Sequence, residues 1–169
     1  MATISLTRGM VAVVDDEDFE YLSRNPWFAM KSNGGWYASR WVRHGSGKRT
    51  ILRMHVAIAS RIGVASERFV DHVDGDTLNN RRENLRAATT KQNAWNRGVR
   101  RSNECGYVGV SRHGKGWRVQ ITDPDGYRIR LCRFATAEAA AKVYNIFAML
   151  FHGNFAKLNE VPNARFASS

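Results

Sequence analysis

Cysteines and long uninterrupted apolar runs are both scarce in this sequence of 169 residues. The two cysteines, Cys105 and Cys132, form neither a CxxC pair nor a zinc-binding quartet, so we expect ordinary thiols in a reducing compartment. No apolar run approaches the roughly 18 residues of a membrane span, and the start lacks the layout of a signal peptide. The sequence therefore predicts a cytoplasmic protein that is neither inserted in a membrane nor secreted.

Acidic residues are few relative to basic ones, because 15 Asp and Glu stand against 26 Lys and Arg, giving a net charge of +11. Such a surplus costs self-repulsion without an acidic partner, so it points to nucleic acid or an anionic membrane. The basic residues are spread along the whole chain, so the basic surface belongs to folded parts rather than to a tail. The densest basic run lies between Asn84 and Asn103, and it contains Arg86, Lys91, Arg97, Arg100 and Arg101 without an acid.

The N-terminal part is rich in predicted strands. Residues 3–14 predict one or two strands around a break at Gly9, and the acidic patch 15–22 predicts a short helix with a solvated start. Strands at 36–42 and 49–54 follow as a small meander. Three tryptophans are expected in its core rather than stacked on bases: Trp27, Trp36 and Trp41.

The middle of the chain alternates between helix and strand. A helix is predicted over 55–62, a short strand over 68–73, and a tight turn over 74–76 that starts a return strand or an extended loop. A further helix runs from Thr89 or Thr90 to Arg97. Residues 98–104 have the polar, basic character of a linker.

A second unit follows this linker. It has predicted strands at 106–112, 116–122 and 127–134, and then a helix over 136–153 that begins at the N-cap Thr136. One apolar stripe of the helix is expected to pack on the sheet, and it comprises Ala139, Ala140, Val143, Tyr144, Phe147, Leu150 and Phe151.

Strand alternation divides the side chains of the second and third of these strands between two faces. The apolar residues would face the helix: Val119, Ile121, Ile129 and Leu131. The polar residues would face outward: Arg118, Gln120, Arg128 and Arg130. Arginine can bind guanine through two hydrogen bonds, glutamine can bind adenine in the same way, and either can hold a phosphate. The outward face is thus either a DNA-reading surface or an ordinary solvated face.

The stretch 69–96 carries the most distinctive chemistry, because it places Asp71 beside His72 and adds five asparagines among arginines. A carboxylate is a hard metal ligand, and a histidine can take a proton near neutral pH. An EF-hand loop is excluded, because with Gly75 at its sixth position the twelfth position would be Arg81 rather than an acid. The mixture favours hydrolysis of an anionic substrate, in which Asp71 and Asn93 offer oxygens to one cation and His72 deprotonates water.

The segment VDHVDGDTLNNRRENLRAATTKQNAWN closely resembles the HNH, or ββα-metal, nucleases, in the subgroup found in phage and intron homing endonucleases. The resemblance implies that Asp71 and Asn93 are metal ligands, with Asn96 in reserve. It also implies that His72 is the general base and Asn84 the orienting asparagine. His55 is expected to be an ordinary helix-start histidine, and Asp74 and Asp76 are expected to be turn residues.

Residues 106–159 resemble the AP2/ERF DNA-binding domain through the YVGV opening, the FATAEAAAKVY helix entry and the closing GNFAKLN. The resemblance implies a three-stranded sheet lying in the major groove of DNA, with Arg112 joining the outward residues as a DNA contact. Ser111 and His113 stand where plant domains carry arginines, so the base preference of plant factors does not transfer to this chain.

Together these features predict an α+β protein. An N-terminal β-rich meander leads into the nuclease motif (domain 1–97, motif 69–97), the linker 98–104 follows, then an AP2-like sheet and helix at 105–159 and a loose tail at 160–169. The predicted function is a phage- or intron-encoded endonuclease of a bacterial host cell. It would use one Mg²⁺ per site, with Mn²⁺ as a substitute, and no small-molecule cofactor. It would cut double-stranded DNA as a monomer, nicking one strand, although a dimer is open.

Two alternatives stay open at this point. One is a DNA-binding regulatory protein whose nuclease half has decayed, against which the intact set of Asp71, His72, Asn84 and Asn93 speaks. The other is a nuclease acting on RNA or on structured nucleic acid.

Overall fold

The computed structural model describes residues 1–32, 35–64, 69–99 and 103–162. Within them the chain mixes α and β structure, in several small antiparallel sheets and few helices. The chain divides into two compact units, an N-terminal unit of residues 1–93 and a C-terminal unit of residues 94–169. In the described part of the chain, no helix is both long and apolar enough to span a bilayer.

The N-terminal unit opens with a hairpin of β1 (Ala2–Ser5) and β2 (Val11–Val14), in which Ala2 pairs with Val14. One or two strands were predicted around Gly9, and the structure has two. Helix α1 (Asp16–Ser23) follows at the predicted acidic patch.

The prediction of a solvated helix start is correct for Asp16 and Glu17, which are exposed, and wrong for Asp18. The Asp18 side chain is fully buried and accepts hydrogen bonds from Arg82 at 2.7 and 3.0 Å and from Arg61 at 3.3 Å. Asp15 accepts from the backbone N–H of Arg82 at 2.8 Å, and Glu17 pairs with the Arg82 guanidinium. The patch therefore holds the segment before the second strand of the nuclease motif.

The next sheet has three strands in the order β3 (Phe28–Ser32), β4 (Gly35–Arg43) and β5 (Arg49–Arg53). Strands β4 and β5 match the predicted meander, but β3 was missed. Its sequence, FAMKS, contains little that favours a strand, and pairing along β4 decides its conformation. The run Ser32-Asn33-Gly34-Gly35 predicts a turn between β3 and β4, but residues 33 and 34 lie outside the described part.

The prediction for the three tryptophans is correct for Trp27, partly correct for Trp36 and wrong for Trp41. Trp27 is buried and donates its ring N–H to the Leu22 carbonyl at 2.9 Å, and Trp36 packs half-buried against the core. Trp41 is 58% exposed and contacts Phe28 with ring centroids 6.3 Å apart. Because Trp36 and Trp41 lie an odd number of residues apart on β4, they point to opposite faces.

Helix α2 (Met54–Arg61) precedes the predicted nuclease motif, residues 69–97, which contains β6 (Val70–His72), β7 (Leu85–Ala87) and α3 (Thr90–Trp95). Strands β6 and β7 are antiparallel, with Asp71 opposite Arg86 and His72 opposite Leu85. Helix α3 ends at Trp95, before the predicted Arg97.

The loop between β6 and β7 is bonded to β2. The Val13 N–H donates to the Leu78 carbonyl at 2.9 Å, and the Asn80 N–H donates to the Val13 carbonyl at 2.8 Å. The first hairpin of the chain therefore supports the motif's loop directly.

The C-terminal unit contains β8 (Val110–His113), β9 (Gly116–Thr122) and β10 (Arg128–Phe134), with β9 in the middle, followed by α4 (Ala137–His152). The predicted N-cap is confirmed, because the Thr136 hydroxyl accepts a hydrogen bond from the Ala139 N–H at 3.1 Å. Strand β8 begins at Val110, later than the predicted 106. A Cβ on Gly109 would lie 2.2 Å from the Tyr144 ring, so only glycine permits this close approach of α4.

The core of this unit lies between the sheet and α4. Val119 and Ile121 are buried there, and Ile129 and Leu131 pack against them, as strand alternation predicted. The helix stripe was wrong at Leu150, which is 73% exposed, and at Ala139, which is also exposed. The side of α4 that meets the sheet is instead rich in small residues, since Ala137, Ala140, Ala141 and Ala148 are buried with Tyr144.

Candidate active site

His72 is the centre of a cluster of rings in the N-terminal unit. Its side chain is only 4% exposed, and its ring meets the His55 ring edge-on, with centroids 4.9 Å apart. Tyr37 lies against both imidazoles, with centroid distances of 5.7 Å to His55 and 6.4 Å to His72. Arg53, the last residue of β5, places its guanidinium over the Tyr37 ring at 4.5 Å.

Burial keeps both imidazoles uncharged at neutral pH. Desolvation, with repulsion from His72 and Arg53, lowers the pKa of His55 to about 3. Desolvation also lowers the pKa of His72, although a contact with Asn80 and the nearby carboxylates of Asp74, Asp71 and Asp76 oppose it. A neutral imidazole is the form that can accept a proton.

Asn80 lies at the His72 ring, a role that was not predicted from its place in the sequence. Asn80 is 1% exposed, and its side-chain oxygen lies 3.4 Å from Nε2 of His72. Its amide group donates to the Leu78 carbonyl at 3.0 Å, which turns the oxygen toward the ring. The sequence signal was its position beside Asn79, at the end of the loop that returns toward the strand of His72.

Asn84 closes the loop that follows His72. Its side-chain oxygen accepts from the Asp74 N–H at 3.0 Å, and its amide group donates to the Asp74 carboxylate at 2.9 Å and to the Asn79 carbonyl at 2.7 Å. Burial raises the pKa of Asp74, but the hydrogen bonds from Asn84 and Asn79 outweigh it and hold that pKa below its usual value. Asn84 thus contacts the loop, while Asn80 contacts the ring.

Asp71 and His72 contact different partners, as expected for neighbours on a strand. The Arg86 guanidinium donates to Asp71 Oδ2 from Nε at 3.0 Å and from Nη2 at 2.7 Å, and both side chains are mostly buried. Arg86 was predicted to contact DNA, but here its guanidinium balances the Asp71 carboxylate.

The remaining predicted residues of this region lie on and after α3. The backbone N–H of Asn93 donates to the Thr89 carbonyl at 2.9 Å, and the Asn93 side chain is half-buried, whereas Asn96 is buried just past the helix. Lys91 and Arg97 are exposed. Arg100 and Arg101 lie outside the described residues.

The available metal donors are oxygens. Among residues 1–32, 35–64, 69–99 and 103–162, no three His, Cys, Asp or Glu side chains are grouped as a metal site. The predicted pair, a carboxylate from Asp71 and an amide oxygen from Asn93, has the chemistry that suits a hard divalent cation.

In the C-terminal unit, the face of the sheet opposite α4 carries the predicted polar residues. Arg130 pairs with Gln120 across the strands, and its Nε lies 3.4 Å from the Gln120 oxygen. Arg118 donates to the Ser111 hydroxyl at 3.0 Å. Arg128 is exposed. Arg112 lies on the other face, because it is two residues from buried Val110 on β8, and it stacks over the Trp117 ring at 5.0 Å.

Comparison with known proteins gives the class to which this site belongs. A family model described as "HNH endonuclease" matches residues 63–95, which contain β6, β7 and α3. An uncharacterized HNH endonuclease of Acanthamoeba polyphaga mimivirus is 29% identical over 154 residues, covering 91% of this chain and 77% of that protein. Protein 3.8 of Escherichia phage T7 is 34% identical over 91 residues, covering 53% of this chain and 74% of that protein. No solved structure matches.

The chain carries an HNH endonuclease domain at residues 63–95, and it is therefore a nuclease, with DNA as the substrate that such a domain implies. Its two relatives named above are viral. HNH nucleases are generally dependent on a divalent metal ion.

Proposed function

We propose that the protein is a homing-type DNA endonuclease of a phage or intron, in which the N-terminal unit cuts a phosphodiester and the C-terminal unit holds the duplex. The observation that carries this proposal is the buried, neutral imidazole of His72 inside the matched family region. The protein would act in the cytoplasm of a bacterial host.

His72 takes the proton of the attacking water. The water oxygen then forms a bond to phosphorus, and the bond from phosphorus to the 3′ oxygen breaks. Asn80 orients the ring, and Asn84 holds the loop that carries Asp74. A divalent cation, Mg²⁺ or Mn²⁺, bound by Asp71 and Asn93 with Asn96 in reserve, would supply stabilisation of the developing negative charge.

The ion pair between Asp71 and Arg86 bears on this assignment in two ways. It holds the Asp71 carboxylate on the strand of His72, so a divalent cation would have to compete with the Arg86 guanidinium for that carboxylate. It also favours the alternative function, a DNA-binding regulatory protein with an inactive nuclease half, because the carboxylate is already balanced without a metal.

Recognition is proposed to rest on the C-terminal sheet. Its arrangement of three antiparallel strands and one helix is compatible with the AP2/ERF resemblance, and Arg118, Gln120, Arg128 and Arg130 would enter the major groove. One motif per chain makes nicking of one strand by a monomer the expected reaction, and a dimer would cut both strands.

Cleavage of supercoiled plasmid tests the proposal. With Mg²⁺ or Mn²⁺ we expect conversion to the nicked circle, and EDTA should stop it. Binding without cleavage under all metal conditions would support the inactive alternative. Linear product without a nicked intermediate would contradict nicking by a single active site.

A further inference from the structure

An open concavity of about 380 Å³ lies in the C-terminal unit, at the end of the sheet where β8 turns into β9. It is lined by His113, Lys115, Gly116, Arg133, Phe134 and Ala135. The lining contains two permanent cations and no acid. Among the described residues, neither Lys115 nor Arg133 forms an ion pair, so their charges stay uncompensated.

A β-bulge in β10 puts Arg133 in this lining. Leu131 pairs with Val119 and Phe134 with Trp117, so Cys132 and Arg133 together stand opposite Arg118. Bulges of this kind bend a strand and redirect a side chain. The bulge that contributes Arg133 therefore stands opposite Arg118 in the strand register, and Arg118 is one of the residues on the outward sheet face.

Arg133 holds a backbone conformation that favours glycine. Its φ is +74°, in the left-handed region that other L-residues occupy at an energetic cost. Strain of this kind persists only when the surrounding structure over-determines it, and it clusters at active sites and ligand clamps. A glycine would adopt this backbone conformation without strain. The chain therefore keeps an arginine side chain at this position at a cost in conformational energy.

The wall of the concavity is backbone. A Cβ on Gly116 would lie 2.8 Å from the Phe134 carbonyl oxygen, so β9 and β10 approach too closely there for a side chain. The positive charge of the lining suits an oxyanion such as a backbone phosphate, for which a guanidinium and an ammonium are the usual protein partners.

We propose that this concavity binds a backbone phosphate of duplex DNA through Arg133 and Lys115, with His113 at its rim. The inference rests on the proposed DNA-holding role of the C-terminal unit. It adds a contact that fixes the duplex beside Arg118 without reading a base, since phosphate contacts position a protein on DNA.

The test measures thermal melting and DNA affinity of the full-length Arg133→Gly variant. The probe is a labelled duplex of mixed sequence in EDTA, titrated at several salt concentrations. We expect the variant to melt at a higher temperature than wild type, because the strain is relieved. Its affinity should fall roughly tenfold, and the slope of log K against log salt should decrease by about 1.

The control is Lys142→Ala, which removes one positive charge from an exposed position on α4 and should leave the slope unchanged. Unchanged affinity and slope for Arg133→Gly, with wild type binding normally, would overturn this inference alone. Absence of binding by wild type would overturn the DNA-holding role and this inference together. If Arg133→Gly melts at a lower temperature than wild type, the Lys115→Ala variant is measured in its place. An unchanged salt slope in Lys115→Ala would then reject the phosphate site.

Discussion

The two units differ in the way that some of their arginines are used. In the N-terminal unit Arg82 and Arg86 are bonded to carboxylates of the same unit, Asp18 and Asp71, so their charge holds the structure together. In the C-terminal unit Arg128, Arg130 and Arg133 form no ion pair among the described residues and are exposed. The same residue type therefore builds a site in one unit and offers a surface in the other.

The largest expected effect is the loss of cleavage when His72 is replaced. His72→Ala removes the proposed general base, and the cleavage rate should fall by about 10²- to 10⁴-fold. DNA affinity should not change, because the exposed cations of the C-terminal unit remain. Single-turnover cleavage and duplex binding measure the two quantities, and His44→Ala, a change at an exposed turn, is the matched control. Normal cleavage by His72→Ala would reject His72 as the base.

Loss of an internal carboxylate should affect stability rather than DNA binding. Asp18→Asn removes the charge that Arg82 and Arg61 contact in a buried position, and the free energy of unfolding should fall by about 2 kcal/mol. Glu83→Gln alters the exposed ion pair with Arg81 and should cost less than about 1 kcal/mol. Urea denaturation compares them. Equal decreases in the free energy of unfolding for both variants would show that the buried contacts of Asp18 stabilise the fold no more than an exposed ion pair.

Loss of an outward arginine should weaken DNA binding rather than stability. Arg118→Ala and Arg130→Ala should each reduce affinity by roughly tenfold, and each should lower the salt slope by about 1 if it contacts a phosphate. Their melting temperatures should stay close to that of wild type, since the hydrogen bonds of the two side chains, to Ser111 and to Gln120, lie outside the hydrophobic core. Unchanged affinity in both variants would remove the sheet from the interface.

The two buried imidazoles give the N-terminal unit a stability that depends on pH. An unfolded histidine is protonated below pH 6.5, whereas folded His55 stays neutral down to about pH 3. Unfolding in that window takes up a proton, so stability falls as pH decreases, by about 1.4 kcal/mol per pH unit for one group. His55→Phe should flatten the slope measured between pH 6.5 and 5.5, and His44→Ala should keep it. A slope unaffected by His55→Phe would contradict the burial of a neutral ring.

Periodicity predicted the C-terminal unit well, because alternation along β9 and β10 separates apolar from polar side chains without knowledge of other elements. Periodicity gave the wrong prediction for Leu150, because the sequence pattern does not show how far the sheet extends under the helix. It failed for β3, whose residues become a strand only through pairing with β4. Trp36 and Trp41 lie an odd number of residues apart on one strand, which indicates that Trp41 points to the face of the sheet opposite Trp36.

Residue type and order identified the elements of the candidate site, but not the partners within it. The proximity of His55 and Tyr37 to His72 depends on how α2 and β4 meet β6, which no local pattern encodes. Likewise, the burial of Asp18 and the pairing of Arg86 with Asp71 depend on contacts between distant or facing segments. A charged residue read from sequence alone is equally compatible with solvent, DNA or an internal partner.

The central claim is that the N-terminal unit cuts and the C-terminal unit holds DNA, and one rate tests it most directly. It is the rate of single-turnover cleavage by the double variant Arg118→Ala/Arg130→Ala, measured at a protein concentration that saturates the duplex. We predict a rate equal to that of wild type, with only the concentration needed for saturation increased. A saturating rate that falls as it does in His72→Ala would contradict the division of roles between the two units.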